Sequence, residues 1–212
     1  MRSLPDILYN FHWIVPGEAA RSAQAYAGFL GPFLKRHGIR TVINMRGANP
    51  RFRWWHYETR VCQQLGIVHR DVKMNSRLLP TRAMLLDLLN AFDVCPRPLL
   101  LKCSGGQDRT SFASALYLLH TRALAARAEA EAQFAAWPYL HWPKQQQRWL
   151  KQFVLYAEEH MAARSLREWM ERDYSPEQFK IWLEARGLGG AFRGIYTPPK
   201  RKAVVSDARH QS

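Results

Sequence analysis

The apolar and polar positions of the first 120 residues alternate between two periods. Thr41-Val-Ile-Asn-Met45, Ile67 to Met74 and Leu99-Leu-Leu101 are short apolar or β-branched runs bounded by Gly, Pro or polar loops, and are predicted strands. The last is apolar at consecutive positions, as in a strand covered on both faces. Residues 23–37, 54–65 and 82–93 carry their apolar residues at helical spacing. Gly38 and Gly66 close the first two, Thr81 is the predicted N-cap of the third, and Pro96 and Pro98 end it. A further helix is predicted from about Arg109 to Arg127. Residues 1–22, with Pro5, Pro16 and Gly17, read as an irregular lead-in.

This order of elements predicts an α/β fold over residues 1–122, with a central, mostly parallel sheet flanked by helices. Beyond it the pattern is helical. Segments near 123–136, 144–162, 164–172 and 175–186 are separated by Pro138, Pro143 and the Tyr174-Ser-Pro176 turn. They predict a helical C-terminal extension over 123–190, packed on the α/β core. Trp137, Trp142, Trp149, Trp169 and Trp182 recur there and are the predicted core of this cap. Residues 191–212, which include Pro198-Pro-Lys-Arg-Lys202, are predicted to be a basic flexible tail.

Composition alters this picture mainly through charge. Apolar residues (47%) and charged residues (23%) are ordinary for a globular chain, but the formal net charge is +14. Between Lys35 and Arg82 eleven Lys and Arg face two acids, Glu58 and Asp71. Such a surface attracts phosphorylated ligands, an anionic membrane surface or nucleic acid. Three cysteines, Cys62, Cys95 and Cys103, are an odd number without paired spacing, which argues against a disulfide framework and a structural zinc site. Cys62 and Cys95 read as small core residues. The first residues lack the apolar stretch of a signal peptide, and no run is long enough to span a bilayer. The expected compartment is a reducing cytoplasm, with peripheral contact to a membrane where the basic face meets anionic lipid.

The chemistry concentrates in Leu99-Leu-Leu-Lys-Cys103-Ser-Gly-Gly-Gln-Asp108-Arg109-Thr110. A buried strand runs into a glycine-containing loop and the loop into a helix. The N–H groups of Ser104, Gly105, Gly106 and Gln107 would then face inward beside a helix N-terminus, which is an anion cradle. Cys103 at its base would have its thiol pKa lowered by that N-terminus and by a guanidinium. Arg109 offers a planar fork for two phosphoryl oxygens. Thr110 offers a hydroxyl to the sulfur. Together these residues suit in-line attack on a phosphate monoester and a covalent phosphocysteine.

Cys103 to Thr110 matches the signature of the protein tyrosine phosphatase superfamily: Cys, five residues, Arg, then Ser or Thr. With Arg21-Ser-Ala-Gln24, the run from Gly38 to Gly47 and Leu65-Gly-Ile67, the stretch from about Arg21 to His120 resembles the bacterial branch related to dual-specificity phosphatases. The resemblance implies two-step hydrolysis with no metal and no cofactor. A phosphoprotein, phosphotyrosine in particular, is the first expected substrate, and a phosphoinositide or other phospholipid headgroup the second, because a basic surface suits both a multiply charged ligand and a membrane face. A phosphate-binding module without turnover is a third reading. Nucleic acid would suit the charge but leaves Cys103 and Arg109 unexplained. Two departures stand out: Lys102 where the family has His, and Ser111 where it has Gly.

The leaving oxygen needs a proton. The family's usual Asp position falls near Ser76. Asp108, inside the loop beside Arg109, and Asp71, within a predicted strand, are the candidates, and Asp108 is favoured. The basic and aromatic run Asn49 to Tyr57 either walls the pocket, stacks on bases or packs as a helix face.

Overall fold

The computed structural model describes residues 3–26 and 28–198. Strands β1 (His12–Val15), β2 (Ala19–Ser22), β3 (Thr41–Asn44), β4 (Val68–Asp71) and β5 (Leu99–Lys102) form one sheet in the order β1-β2-β5-β3-β4. β2, β5, β3 and β4 are parallel, and β1 pairs with β2 as an antiparallel edge. The crossovers are made by α2 (Leu30–Arg36), α3 (Arg53–Gln64) and α4 (Arg82–Val94), and α5 (Asp108–Arg122) follows β5.

Alternation along the strands explains why helices cover both faces. Ala19, Ile43, Leu99 and Leu101 point to one side, where they join Leu85, Phe92, Phe112 and Leu116 of α4 and α5. Ala20, Val42 and Leu100 point to the other and meet Leu30, Phe33, Leu34 and Cys62. Side chains of successive strand residues face opposite ways, so an unbroken apolar run such as Leu99-Leu-Leu101 is needed where both faces are dry.

The lead-in is not irregular. Residues 1–22 hold a short helix, α1 (Leu4–Leu8), and two strands, and β2 lies in the interior of the sheet against β5. Its sequence, Ala-Ala-Arg-Ser, has no β-branched residue and ends on two polar ones, so it carries no strand signal. The helix expected over 23–37 begins only at Leu30, and the strand expected over 67–74 ends at Asp71. Thr81 caps α4 through a 3.3 Å bond from Met84 N–H.

The extension comprises α6 (Arg127–Ala132), α7 (Trp149–Met161), α8 (Leu166–Arg172) and α9 (Pro176–Ala185). It shares one hydrophobic cluster with α4, α5 and the sheet. The Phe153 ring contacts Phe112 of α5 as well as Trp169, Tyr174 and Phe179. Trp149, Trp169 and Trp182 are buried in this cluster, whereas Trp137 and Trp142 are 78% and 71% exposed and do not belong to it. Residues 191–198 are not a free tail: Leu79 N–H bonds Gly194 O at 2.8 Å and Tyr196 N–H bonds Leu79 O at 2.9 Å. The remainder of the expected tail, 199–212, lies outside the described residues. Among the described residues no helix is long and apolar enough to cross a membrane.

Candidate active site

The parallel strands all end on one rim. β5 lies between β2 and β3 there, and the loop leaving β5 feeds directly into α5. This is where an open α/β sheet has room for a ligand beside a helix N-terminus. Cys103 opens that loop, 3% exposed at its base.

Gly106 makes the turn possible. Its φ is +64°, and a Cβ there would stand 2.6 Å from Ala23 N and 2.7 Å from Ser22 C. Only glycine meets both the conformation and the approach to β2. The loop is then fixed from below. Arg21 is fully buried, and its Nη2 donates to Gly106 O (3.0 Å) and Ser111 Oγ (2.8 Å), while Nη1 donates to the backbone and side-chain oxygens of Gln133. Tyr139 packs on its face at 4.2 Å. Asn10 Nδ2 reaches the same Gly106 carbonyl at 3.2 Å. The serine at 111 thus acquires a purpose, as an acceptor for the buried guanidinium. Burial pushes the Arg21 pKa down to about 10, and the side chain remains a cation at neutral pH.

Burial of Cys103 alone would raise its thiol pKa. The Arg109 guanidinium, the Thr110 hydroxyl and the N–H groups of Gln107 and Thr110 outweigh this and hold it below the ordinary thiol range. The Thr110 hydroxyl is buried without another partner, which leaves it to the sulfur. Arg109 Nη2 donates to Ser104 Oγ at 2.9 Å, so the guanidinium spans the mouth of the loop.

Lys102 neither points to solvent nor acts as the main support of the thiolate. It is 2% exposed and pairs with Glu58 Oε1 at 2.6 Å and Gln24 Oε1 at 2.7 Å. Burial lowers its pKa despite that partner. His69 Nε2 meets the same Glu58 oxygen at 2.7 Å, and Gln24 Nε2 donates to Glu58 Oε2. This buried network lies behind Cys103 and ties β5 to α3 and β4. Desolvation offsets much of the attraction in a buried pair of this kind, so its net contribution to stability is small. The aromatic run is divided between tasks: Trp54 lies under the Arg46 guanidinium at 3.5 Å, and Trp55 Nε1 donates to Asp71 Oδ2 at 2.9 Å.

The two candidate acids have different surroundings. Asp71 ends β4, and its second oxygen accepts from Asn44 Nδ2 at 2.6 Å, so one oxygen ties the ends of β3 and β4 together and the other holds α3 to them. Asp108 begins α5 and lines the cleft in front of the loop. Burial raises its pKa, and Arg109, Gln147, Arg77 and Lys144 only partly oppose that. Gln147 Nε2 donates to Asp108 Oδ2 at 2.7 Å and to Ser76 Oγ at 3.0 Å, bridging the carboxyl to the loop after β4. His141 is 4% exposed, its Nδ1 donates to Phe134 O at 3.2 Å, and burial drives its pKa down to about 4. The proton on the neutral ring therefore sits on Nδ1. Nε2 is an acceptor without a hydrogen bond, 3.5 Å from Asp108 Oδ1. An unpaired acceptor facing a carboxyl favours its protonated form. His141 and Gln147 both come from the extension, and neither is marked by any motif or spacing.

The central parallel sheet, with the Cys103 loop between β5 and α5, is a fold that the chain shares with solved structures that include TpbA, PTPMT1 and Tk-PTP. No family model and no curated protein sequence matches the chain. Among solved structures it is similar to TpbA of P. aeruginosa, with 16% identity and a TM-score of 0.53 over 87% of this chain and 95% of that one. PTPMT1 aligns with 15% identity and a TM-score of 0.53, over 70% of this chain and 96% of its own. Tk-PTP gives 15% identity and a TM-score of 0.52, with the same coverages of 70% and 96%.

Proposed function

We propose that the chain is a cysteine-dependent phosphatase that hydrolyses phosphate monoesters through a phosphocysteine. The observation that carries this reading is the Cys103 thiol held below its ordinary range at the base of a loop spanned by Arg109. In the first step Cys103 Sγ attacks phosphorus, the S–P bond forms as the ester P–O bond breaks, and Asp108 gives its proton to the leaving oxygen. In the second, water attacks phosphorus, Asp108 takes the water's proton, and the S–P electrons return to sulfur as inorganic phosphate leaves. The loop N–H groups of residues 104–107 and the Arg109 fork stabilise the charge on the transferring oxygens.

A phosphorylated, anionic substrate fits the site. Two of the similar structures were solved with such ligands, TpbA with phosphotyrosine and PTPMT1 with PI(5)P, and both ester types are candidates here. The purified protein should release phosphate from an aryl phosphate in the presence of a chelator. Cys103→Ser should lower that rate on the order of a thousandfold or more while inorganic phosphate still binds. An active Cys103→Ser protein would overturn the assignment, and phosphate binding without turnover by the parent protein would favour a binding module.

A further inference from the structure

The catalytic loop opens into a cleft of about 630 Å³, bordered by the loops after β3 and β4, the start of α5 and the segment after α9. Five cationic side chains line it, Arg46, Lys73, Arg77, Arg109 and Arg193, against one carboxylate, Asp108. Hydrolysis of a monoester uses Arg109. It gives no task to the other four.

Those four are held in place by the backbone. Arg46 and Lys73 face each other across an isolated antiparallel bridge. Gly47 permits this approach: its φ is +70°, and a Cβ there would lie 2.8 Å from Lys73 Cβ. Arg193 N–H donates to Arg77 O at 2.7 Å, which fastens the segment after α9 beside the loop after β4. Some surface arginines outside the cleft have carboxylate partners, Arg70 with Asp87, Arg127 with Glu158, Arg167 with Asp93 and Arg186 with Glu159; what distinguishes the cleft is that its cations converge on one concave site. Among the described residues none of the four cleft cations forms a salt bridge. Arg46 stacks on Trp54 and Arg193 Nε donates to Gln146 Oε1 at 2.6 Å, neutral partners that leave their charge in place. Five cations against one carboxylate in a concave site repel one another and focus a positive potential, an arrangement that a bound polyanion relieves.

Resting on the phosphatase reading of Cys103, we propose that this cleft is a second-phosphate subsite and that the substrate is an organic bis- or polyphosphate. One phosphate is transferred to Cys103. A second is held by Lys73 and Arg77, with Arg46 and Arg193 at the rim. A soluble polyol polyphosphate and the phosphorylated headgroup of a lipid share this chemistry.

Binding of inositol monophosphate, inositol bisphosphate and a phosphotyrosine peptide to Cys103→Ser protein, measured by calorimetry at physiological salt, tests the subsite independently of turnover. The bisphosphate should bind at least about tenfold more tightly than the monophosphate, as one added charge-assisted contact provides. Arg77→Gln, and separately Lys73→Gln at an exposed position, should reduce that ratio to about threefold or less. The same headgroup displayed on phosphatidylcholine vesicles separates the two sources: tighter binding there assigns the lipid, and equal binding assigns the soluble form. Equal affinities for mono- and bisphosphate, a ratio unmoved by both substitutions, or a preference for the peptide would overturn the subsite. Bisphosphate preference in a protein whose parent releases no phosphate from any ester would retain the subsite and refute the hydrolysis. Turnover without the preference would do the reverse.

Discussion

In the proposed mechanism Asp108 is the residue on which the pH dependence turns. Its carboxyl is lifted by burial and faces the bare Nε2 of His141, so it can stay protonated above the usual carboxylate range. The first step needs Cys103 ionised and Asp108 protonated. The rate therefore rises with pH through the lowered thiol pKa and falls as pH passes the raised carboxyl pKa. Asp108→Asn should flatten that basic limb. It should also slow alkyl phosphates by roughly 10²–10⁴ while an activated aryl ester loses less than about tenfold, since a good leaving group needs little protonation. Equal losses on both esters, or the leaving-group dependence appearing in Asp71→Asn instead, would move the acid elsewhere. Cys103, Asp108, Arg109 and Thr110 were legible in the sequence because one strand, one loop and one helix bring them together locally. The partners that tune them were not. Gln147 stands 39 positions from Asp108, and Glu58 reads as a surface charge on an amphipathic helix although it is buried against Lys102. Contacts across such distances leave no periodic trace.

At the scale of elements, the same distinction separates β5 from β2. Leu99-Leu-Leu101 announces a strand covered on both faces, whereas Ala-Ala-Arg-Ser is recruited to the sheet interior because small residues and a buried guanidinium fit beneath the loop. That guanidinium also links the loop to the extension through Gln133 and Tyr139. The extension is therefore part of the site as well as a cover for α5. Phe153 stands where the two meet, with its ring against Phe112 on one side and Trp169, Tyr174 and Phe179 on the other. Phe153→Ala should cost about 3–5 kcal/mol. Because the cluster is continuous, core and extension should unfold in a single transition, read by denaturant titration with a fluorescence and a far-ultraviolet probe. Two separated transitions, with the first confined to the extension, would show that the cap is an independent unit.

For the whole molecule, the fold and the charge converge on one rim of the sheet. The parallel strands end there, the loop that carries Cys103 leaves β5 there, and a cleft rich in cations without carboxylate partners in a salt bridge opens in front of it. The net charge of +14 thus has a local expression as well as a global one. The proposed hydrolysis requires a covalent phosphocysteine. Asp108→Asn protein should be the best place to observe it: an activated aryl phosphate spares the first step, while loss of the base slows attack by water in the second. Acid quenching of that reaction followed by peptide mass spectrometry should find a phosphoryl group on Cys103 that disappears in the Cys103→Ser, Asp108→Asn double variant. Phosphate release with Cys103 unmodified at every time point would contradict the account.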